Sequence, residues 1–558
     1  MHDLANFVSG EFCLASDDSN CSSCSPKVRH LSYVGVDLEK FEALYKAKGL
    51  RTFIMLYRGN STFQMKHLLQ PLLRTRSCLR VLSLYNWNIA KLPDSIGDLK
   101  HLKYLELLCA ELNEIPETIC SLYNLQTLML DGCTVLTRLP ANIGNLINLR
   151  HLFLPYFLKE MPPQIGKLTS LYALNRFAVG TENGCASIKQ LKELQNLHGT
   201  LEISGLENVA CVKDDLGTVL KDKKFLSKLT LRWNRAHGSQ KEKEVLGALK
   251  LHANLKELSI WWYPGTDFPS LVGDHLFSNI VTLSLYVCLN CSVLPPLGQL
   301  SSLKHLKIES LRGVKEINSE FYYSSAGSSA SGTKPFKSLE TLCLKSLRLL
   351  EKWSFMEGEV EGGVFPRLKE LRLIDCPKLK SLPGYFPSLR ILDTHHCRQI
   401  LPIVPRGQQM DVAFPSLETL KMNECYGDEL LVQGGLPTSL KEISLEWCGS
   451  LTALDNCFQC LTSLEKLHIS QCYRMRCLPK ELPASLSDLT IIDCNSLTPR
   501  LKRETGEDWP IIAHIPNVTI EPNLDDEEED DPNNPYEPNL YDEEEDVPNN
   551  PYDDTNEL

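Results

Sequence analysis

The sequence has no apolar run near the ~18–20 residues that a bilayer-spanning helix needs, so no helical membrane span is expected. Its opening, MHDLANFVSGEF, carries acids and no basic region followed by a long apolar stretch, so no secretory signal is read there. Gly-x-x-x-x-Gly-Lys-Ser/Thr does not occur anywhere. Gly166-Lys167 comes nearest, but Leu168 follows it and position 161 is Met. Without that loop at a helix N-terminus the main anchor for nucleotide phosphates is missing, and no cofactor is expected. Basic residues are absent from one end of the chain: from Glu521 to Leu558 there are 17 acids and no Lys or Arg. The net charge of −12 therefore leaves residues 1–520 at +5, close to balance. That body shows no clustered basic stretch of the kind that marks nucleic-acid binding. No nucleophile–base constellation stands out either, so no catalytic residues are assigned and the chain is not read as an enzyme.

What is present is repetition. Leu79-x-x-Leu82-x-Leu84 recurs from Leu102, Leu125, Leu149 and, incompletely, Leu171. The spacing falls inside the ~20–29 residues of a leucine-rich repeat. A second phrase alternates with the first: Leu92-Pro93-x-x-Ile96-Gly97-x-Leu99, Ile115-Pro116-x-x-Ile119-x-x-Leu122, Leu139-Pro140-x-x-Ile143-Gly144-x-Leu146. In Leu-x-x-Leu-x-Leu the last two leucines are two apart, so a strand turns both to one face. One such strand cannot bury that face alone, whereas many stacked in parallel build a continuous core. Looser copies start near Val28, Leu50, Leu201, Leu226, Leu255, Ile280 and Leu303, then near Leu339, Leu368, Leu389, Leu417, Leu440, Leu464, Leu486 and Ile515. The fold expected is an α/β solenoid, a leucine-rich-repeat horseshoe of about twenty turns with a parallel sheet on its concave face. Its repeats are regular over 79–174 and irregular over 175–520. A Ser/Gly-rich stretch predicts a mobile loop at 319–335. The acidic end repeats itself, EPNLDDEEEDDPNNPY then EPNLYDEEEDVPNNPY, and its composition predicts a disordered tail over 521–558.

The 21 cysteines of the chain fit this scheme. The repeat places Asn or Cys three residues past the last strand leucine. Cys133, Cys288, Cys376, Cys397, Cys425, Cys448, Cys472 and Cys494 fall there, as a structural ladder of reduced thiols with a weak donor. Cys21/Cys24, Cys288/Cys291 and Cys457/Cys460 have half of a zinc spacing, but four ligands must converge, and no metal is expected. His395-His396-Cys397 is read in the same way. For partner binding, solvent-facing strand positions in successive turns carry Arg232, Trp261, Tyr286, His305 and Lys307. Aromatic anchors flanked by cations suit an interface hot spot. Tyr104 and Phe153 hold equivalent positions.

Several phrases resemble plant intracellular disease-resistance receptors of the coiled-coil, NB-ARC, leucine-rich-repeat type. They are Gly199-Thr-Leu-Glu-Ile203 with Leu206-Glu-Asn-Val209, Leu229-Thr-Leu-Arg-Trp233, and Leu294-Pro-Pro-Leu-Gly-Gln-Leu300 running through Gly313-Val-Lys315 to Glu320-Phe-Tyr322. The opening Met1-His2-Asp3-Leu4 resembles the end of that family's nucleotide-binding module. The resemblance implies that residues 1–26 are a remnant of this module and residues 27–520 the repeat solenoid. It places His2 and Asp3 beside ADP, as a nucleotide-sensing remnant of a truncated module whose phosphate loop is missing here. It further implies a cytoplasmic protein of plant defense. Its partners would be proteins: a pathogen effector, a host target or its own NB-ARC module, with no nucleic acid. A free-standing scaffold or protein inhibitor without an immune role is the alternative.

Overall fold

The computed structural model describes residues 13–17, 27–34, 49–56, 73, 78–85, 89–181, 187–209, 216–234, 240–273, 278–323, 334–355, 363–398, 410–424, 436–454, 458 and 461–521. Eight parallel strands form a first sheet: β1 (Cys13–Asp17), β2 (His30–Val34), β3 (Thr52–Leu56), β4 (Val81–Tyr85), β5 (Tyr104–Leu108), β6 (Thr127–Met129), β7 (His151–Phe153) and β8 (Ala173–Leu174). A second sheet has fourteen. It opens with β9 (Arg176–Ala178), β10 (Gly199–Ser204), β11 (Leu226–Arg232), β12 (Glu257–Trp261), β13 (Thr282–Tyr286) and β14 (His305–Glu309). After β14, β15 (Glu316–Ile317) leaves the sheet to pair with β17 (Lys352–Trp353). The large sheet resumes with β16 (Thr341–Lys345), β18 (Glu370–Ile374), β19 (Ile391–His395) and β20 (Thr419–Asn423). It ends with β21 (Glu442–Glu446), β22 (Lys466–Ser470), β23 (Asp488–Ile492) and β24 (Asn517–Glu521). With β8 and β9 sharing one rung, the two sheets make twenty-one rungs. The first of them, β1, lies inside residues 1–26, so the sheet begins one rung before the stretch where repeats are legible.

The leucine spacing explains each rung. Leu79, Leu82 and Leu84 are fully buried, as are Leu102, Leu105 and Leu107 one rung on, where Lys103, Tyr104 and Glu106 between them stay exposed or part-exposed. The second phrase forms short 3₁₀ turns behind the sheet, at Asp94–Asp98, Glu117–Ser121, Ile143–Asn145 and Ile165–Lys167. Pro93 and Pro116 start the first two with φ of −71° and −70°, the value the proline ring fixes. The glycine of the phrase is a steric requirement: a Cβ on Gly144 would lie 2.4 Å from the Gln164 carbonyl oxygen of the next rung. Side chains also tie the rungs together. Asn124 and Asn148 each donate to a carbonyl of the preceding rung, at 2.8 and 2.7 Å. From Ser388 onward serines do this instead, as Ser416 does to Pro387 at 2.9 Å and Ser439 to Leu417 at 2.7 Å.

The two sheets meet at Asn175, in the incomplete repeat from Leu171. Its side-chain amide accepts from the Leu154 N–H at 2.8 Å and donates to the Leu154 carbonyl at 3.0 Å. It supplies the two hydrogen bonds that a continuing strand would have made there.

In the irregular part, ten rungs from β12 to β23 share a device absent from the repeat consensus. Immediately after each strand a non-glycine residue turns left-handed: Trp262, Val287, Ser310, Ser346, Asp375, His396, Glu424, Trp447, Gln471 and Asp493, with φ between 50° and 59°. Each donates its N–H to a strand-end carbonyl of the next rung, as Val287 does to Glu309 at 2.8 Å. In the nine of these rungs where the following residue is described, its side chain drops into the core, and in six of the nine it is a cysteine. This conformation costs a non-glycine residue about 1–2 kcal/mol, and a β-branched one most. Val287→Gly is therefore expected to stabilise the fold by about 0.5–1 kcal/mol after the glycine's entropy is counted. Urea unfolding should show the gain, and a loss would mean that the Val287 side chain outweighs its backbone strain.

The expected loop at 319–335 is corrected in part. Ser319–Tyr322 is a helical turn capped by Asn318, whose side chain accepts from the Glu320 N–H at 3.0 Å. Phe321 and Tyr322 are buried, and the Trp353 indole donates to the Tyr322 hydroxyl at 2.8 Å. Apolar burial of this pair outweighs the Ser/Gly composition beside it. Residues 324–333 lie outside the described residues, as do His2, Asp3, Cys425 and the tail beyond Glu521.

Candidate protein-binding surface

Strand register sets what the concave face displays. Arg232, Trp261, Tyr286, Glu309 and Lys345 are consecutive partners across β11 to β16. One row over, Glu202, Thr230, Ser259, Ser284 and Lys307 are consecutive partners across β10 to β14. The five residues read from the sequence thus occupy four strands, because His305 and Lys307 share β14.

Side chains along this floor stack without a gap. The Arg176 guanidinium lies 4.5 Å from the Tyr156 ring centre, and Arg232 lies 5.0 Å from the same ring. Arg232 is 4.7 Å from the Trp261 ring, and Trp261 stacks on Tyr286 at 4.1 Å and 23°. The Lys307 ammonium closes the series 5.1 Å from the Tyr286 ring. Lys307 also bridges Glu309 at 3.1 Å, and Lys345 reaches the same carboxylate at 3.2 Å. Trp261 and Tyr286 are half-buried, each lying between its two neighbours in the stack, and His305 is exposed with its ring 2.9 Å from the Thr341 hydroxyl.

Arg232 departs from the expectation. It is 8 % exposed and serves the interior of the floor. Its Nε donates to Glu202 at 2.9 Å and its Nη1 to the Tyr156 hydroxyl. Glu202 is also held bidentately by Arg176, at 2.6 and 2.9 Å. Two guanidiniums therefore share one carboxylate beside the junction of the sheets, and the Arg176 Nε is buried without a hydrogen-bond partner. Burial holds Arg176 below the usual guanidinium range, opposed by the Glu202 carboxylate and reinforced by Arg232. Arginine nevertheless stays charged in proteins, so the cluster carries an excess positive charge. Sequence reasoning missed Arg176, Glu202 and Tyr156 because their partners are 26 to 76 residues away.

The described ladder cysteines are all buried free thiols. Cys133 donates to the Leu107 carbonyl at 2.9 Å, Cys397 to Leu373 at 3.4 Å and Cys472 to Leu445 at 3.6 Å, each one rung back. Cys376, Cys448 and Cys494 do the same at 3.8 Å, and Cys288 turns to Tyr286 at 3.5 Å. Cys109, overlooked in the sequence, points at Leu84 at 3.7 Å. Burial pushes the Cys133 thiol up to about 11, which removes its nucleophilic form at neutral pH. Of the aromatics placed with Trp261, Tyr104 and Phe153 are part-exposed on the first sheet. Tyr263 is fully buried, and its hydroxyl donates to the Asp267 carbonyl at 3.0 Å. A more exposed aromatic run lies on the rim, where Tyr172, His198 and Phe225 stack at 4.0 and 4.1 Å. Among the described residues no group of His, Cys, Asp or Glu is arranged to hold a metal ion, and no helix is long and apolar enough to cross a membrane.

Stacked parallel strands, leucine cores and 3₁₀ backs define a leucine-rich-repeat solenoid. Comparison with known proteins agrees. Residues 188–311 match the family of R13L1/DRL21 leucine-rich repeats. RPP13-like protein 1 of Arabidopsis thaliana, described as a disease resistance protein, is 34 % identical over 534 residues, covering 90 % of this chain and 50 % of that one. Disease resistance protein RGA2 of Solanum bulbocastanum is 34 % identical over 334 residues, 56 % of this chain and 32 % of that one. The chain is thus a homologue of plant disease-resistance proteins, and it spans half the length or less of these relatives. Among solved structures, a leucine-rich-repeat protein of Leptospira interrogans is similar over 86 % of this chain and 91 % of its own, at 20 % identity and a TM-score of 0.36.

Proposed function

We propose that the chain is the recognition module of a plant immune receptor. Its concave face would bind a protein in the defense response: a pathogen effector, a host target or the receptor's own NB-ARC module. The observation that carries this reading is the continuous stack on the floor of β11 to β14. Trp261 and Tyr286 present part-exposed aromatic side chains held rigid between Arg232 and Lys307, with His305 exposed beside them. Preordered aromatics lose little entropy on binding, which is why such residues dominate hot spots. Four rungs at ~4.8 Å and the width of a strand form a floor on which one partner can rest much of a standard footprint of about 800 Å². Arg232 is assigned to holding Trp261 in place, and the contacts to Trp261, Tyr286, His305 and Lys307. We place the protein in the cytoplasm, where buried thiols stay reduced.

The test begins with proteins recovered on the immobilised chain from infected plant tissue, followed by affinity measurement with each. Trp261→Ala and Tyr286→Ala should each cost about 1 kcal/mol or more of binding, with little change in melting temperature. Asn145→Ala, exposed on the 3₁₀ side, should bind as the parent does. Equal binding by all three variants would remove the concave floor as the contact surface.

A further inference from the structure

The residues just before each strand form a rim, joined rung to rung by backbone hydrogen bonds. Along the first sheet the bonds run from Arg51 to Arg29, Arg80 to Arg51, Lys103 to Arg80, Gln126 to Lys103 and Arg150 to Gln126. Five of these six positions are basic. Arg51, Arg80, Lys103 and Arg150 are exposed, and among the described residues none of the four forms an ion pair. The same rim on the second sheet neutralises itself. Glu340 sits between Lys304 at 3.2 Å and Lys369 at 2.7 Å, and its hydrogen bonds to both hold its carboxyl down to about 2. Lys441 pairs with Glu418 at 3.5 Å. Cations on neighbouring rungs ~4.8 Å apart repel one another, and an acidic counter-charge from outside the row relieves this.

The chain carries such a counter-charge in the acidic sequence after Glu521. We infer that the distal part of this tail, residues 542–557, docks on its own N-terminal rim across Arg51, Arg80, Lys103 and Arg150.

Chain length selects that part of the tail. Fourteen rung spacings separate β24 from β7, where Arg150 begins its strand, or roughly 65–70 Å along the sheet at ~4.8 Å each. The first acidic block, 525–531, ends ten residues past Glu521, and a chain of that length reaches at most about 35 Å. The second block begins 21 residues past Glu521, a reach of about 70–75 Å. Glu557 is 36 residues away, a reach of about 120 Å, beyond the Arg51 rung at about 85 Å. The duplicated 16-residue unit is thus what carries an acidic block as far as the rim. A tail held there closes the N-terminal rim to other acidic partners.

The body keeps its core without the tail, since the buried apolar cluster runs from Val28 to Ile515. A labelled peptide of residues 541–558 can therefore be titrated by fluorescence anisotropy into the full chain and into the chain ending at Glu521. The tail-less chain should bind the peptide at low salt and lose at least tenfold in 0.5 M salt. The full chain should bind it at least tenfold more weakly, because its rim is occupied. Combining Arg51→Gln, Arg80→Gln, Lys103→Gln and Arg150→Gln should abolish binding while circular dichroism stays unchanged. Deleting residues 522–537 leaves the distal acids intact but moves them 16 residues nearer the body, so this variant should bind the peptide as well as the tail-less chain does. Three results would each overturn the inference. They are no binding by the tail-less chain, equal binding by the full and tail-less chains, and tail-dependent dimers in sedimentation, which would put the tail on another molecule.

Discussion

Glu202→Ala is expected to destabilise the solenoid by about 3–5 kcal/mol, the range for removing one partner of a buried ion pair. The Arg176 and Arg232 side chains are 9 % and 10 % exposed, and both direct their charge at this one carboxylate. Alanine leaves two guanidiniums side by side in a poorly hydrated site, with only the Tyr156 ring and hydroxyl between them. Glu202→Gln retains an acceptor and should lose less. Replacing Arg176 by Met in the Glu202→Ala background should restore part of the loss, since it removes one of the stranded charges. Urea unfolding of the parent, Glu202→Ala, Arg176→Met and the double variant closes the cycle. A loss below about 1 kcal/mol for Glu202→Ala would show that solvent reaches the cluster and screens it. Because each rung of a solenoid rests on its neighbours, the damage should centre on β9 to β11, and hydrogen exchange would show it there first.

The leucine frame was legible because it is local. A strand needs only its own alternation, and Leu102, Leu105 and Leu107 declare their face without reference to any other rung. The cysteine position was legible for the same reason, being a fixed offset from the strand leucine. The junction at Asn175 was not. The sequence shows only a weak repeat there, and the role of the amide appears once Leu154 is placed opposite it. The burial of Arg232 was hidden in the same way. Its strand parity is that of Trp261 and Tyr286, so alternation makes all three solvent-facing. Tyr156 and Glu202, folded over from other rungs, cover one and leave the others. The exposed rim was passed over because its positions are 22 to 29 apart in sequence, and a charge stripe that runs across strands leaves no run to read. The left-handed residue ahead of seven of the eight ladder cysteines carries no compositional mark, since Val, Asp, His, Glu, Trp and Gln all serve.

A phenylalanine column behind the second sheet was legible and overlooked. The phrases Pro335-Phe336, Phe365-Pro366, Phe386-Pro387 and Phe414-Pro415 recur just before strand leucines. Their rings stack rung on rung: Phe336 on Phe365 at 5.0 Å, Phe365 on Phe386 at 5.8 Å with 4° between planes, and Phe386 on Phe414 at 5.7 Å. All four are fully buried. Phe386 lies inside the column, with Trp353 edge-on at 6.2 Å and Phe355 at 5.8 Å. Phe386→Ala should therefore cost about 3–5 kcal/mol, the transfer free energy of the ring plus the cavity it leaves. Stacking neighbours cannot collapse into that space, because each is fixed by its own rung. Phe386→Leu fills much of the volume and should cost less. The column also predicts coupling: Phe365→Ala and Phe386→Ala together should cost less than the sum of the two, since the second truncation enlarges a cavity already present. Phe386→Ala combined with Leu105→Ala, a fully buried residue of the first sheet, should be additive within about 0.5 kcal/mol. Strict additivity for the neighbouring pair would mean that the rings only share a register and do not support one another.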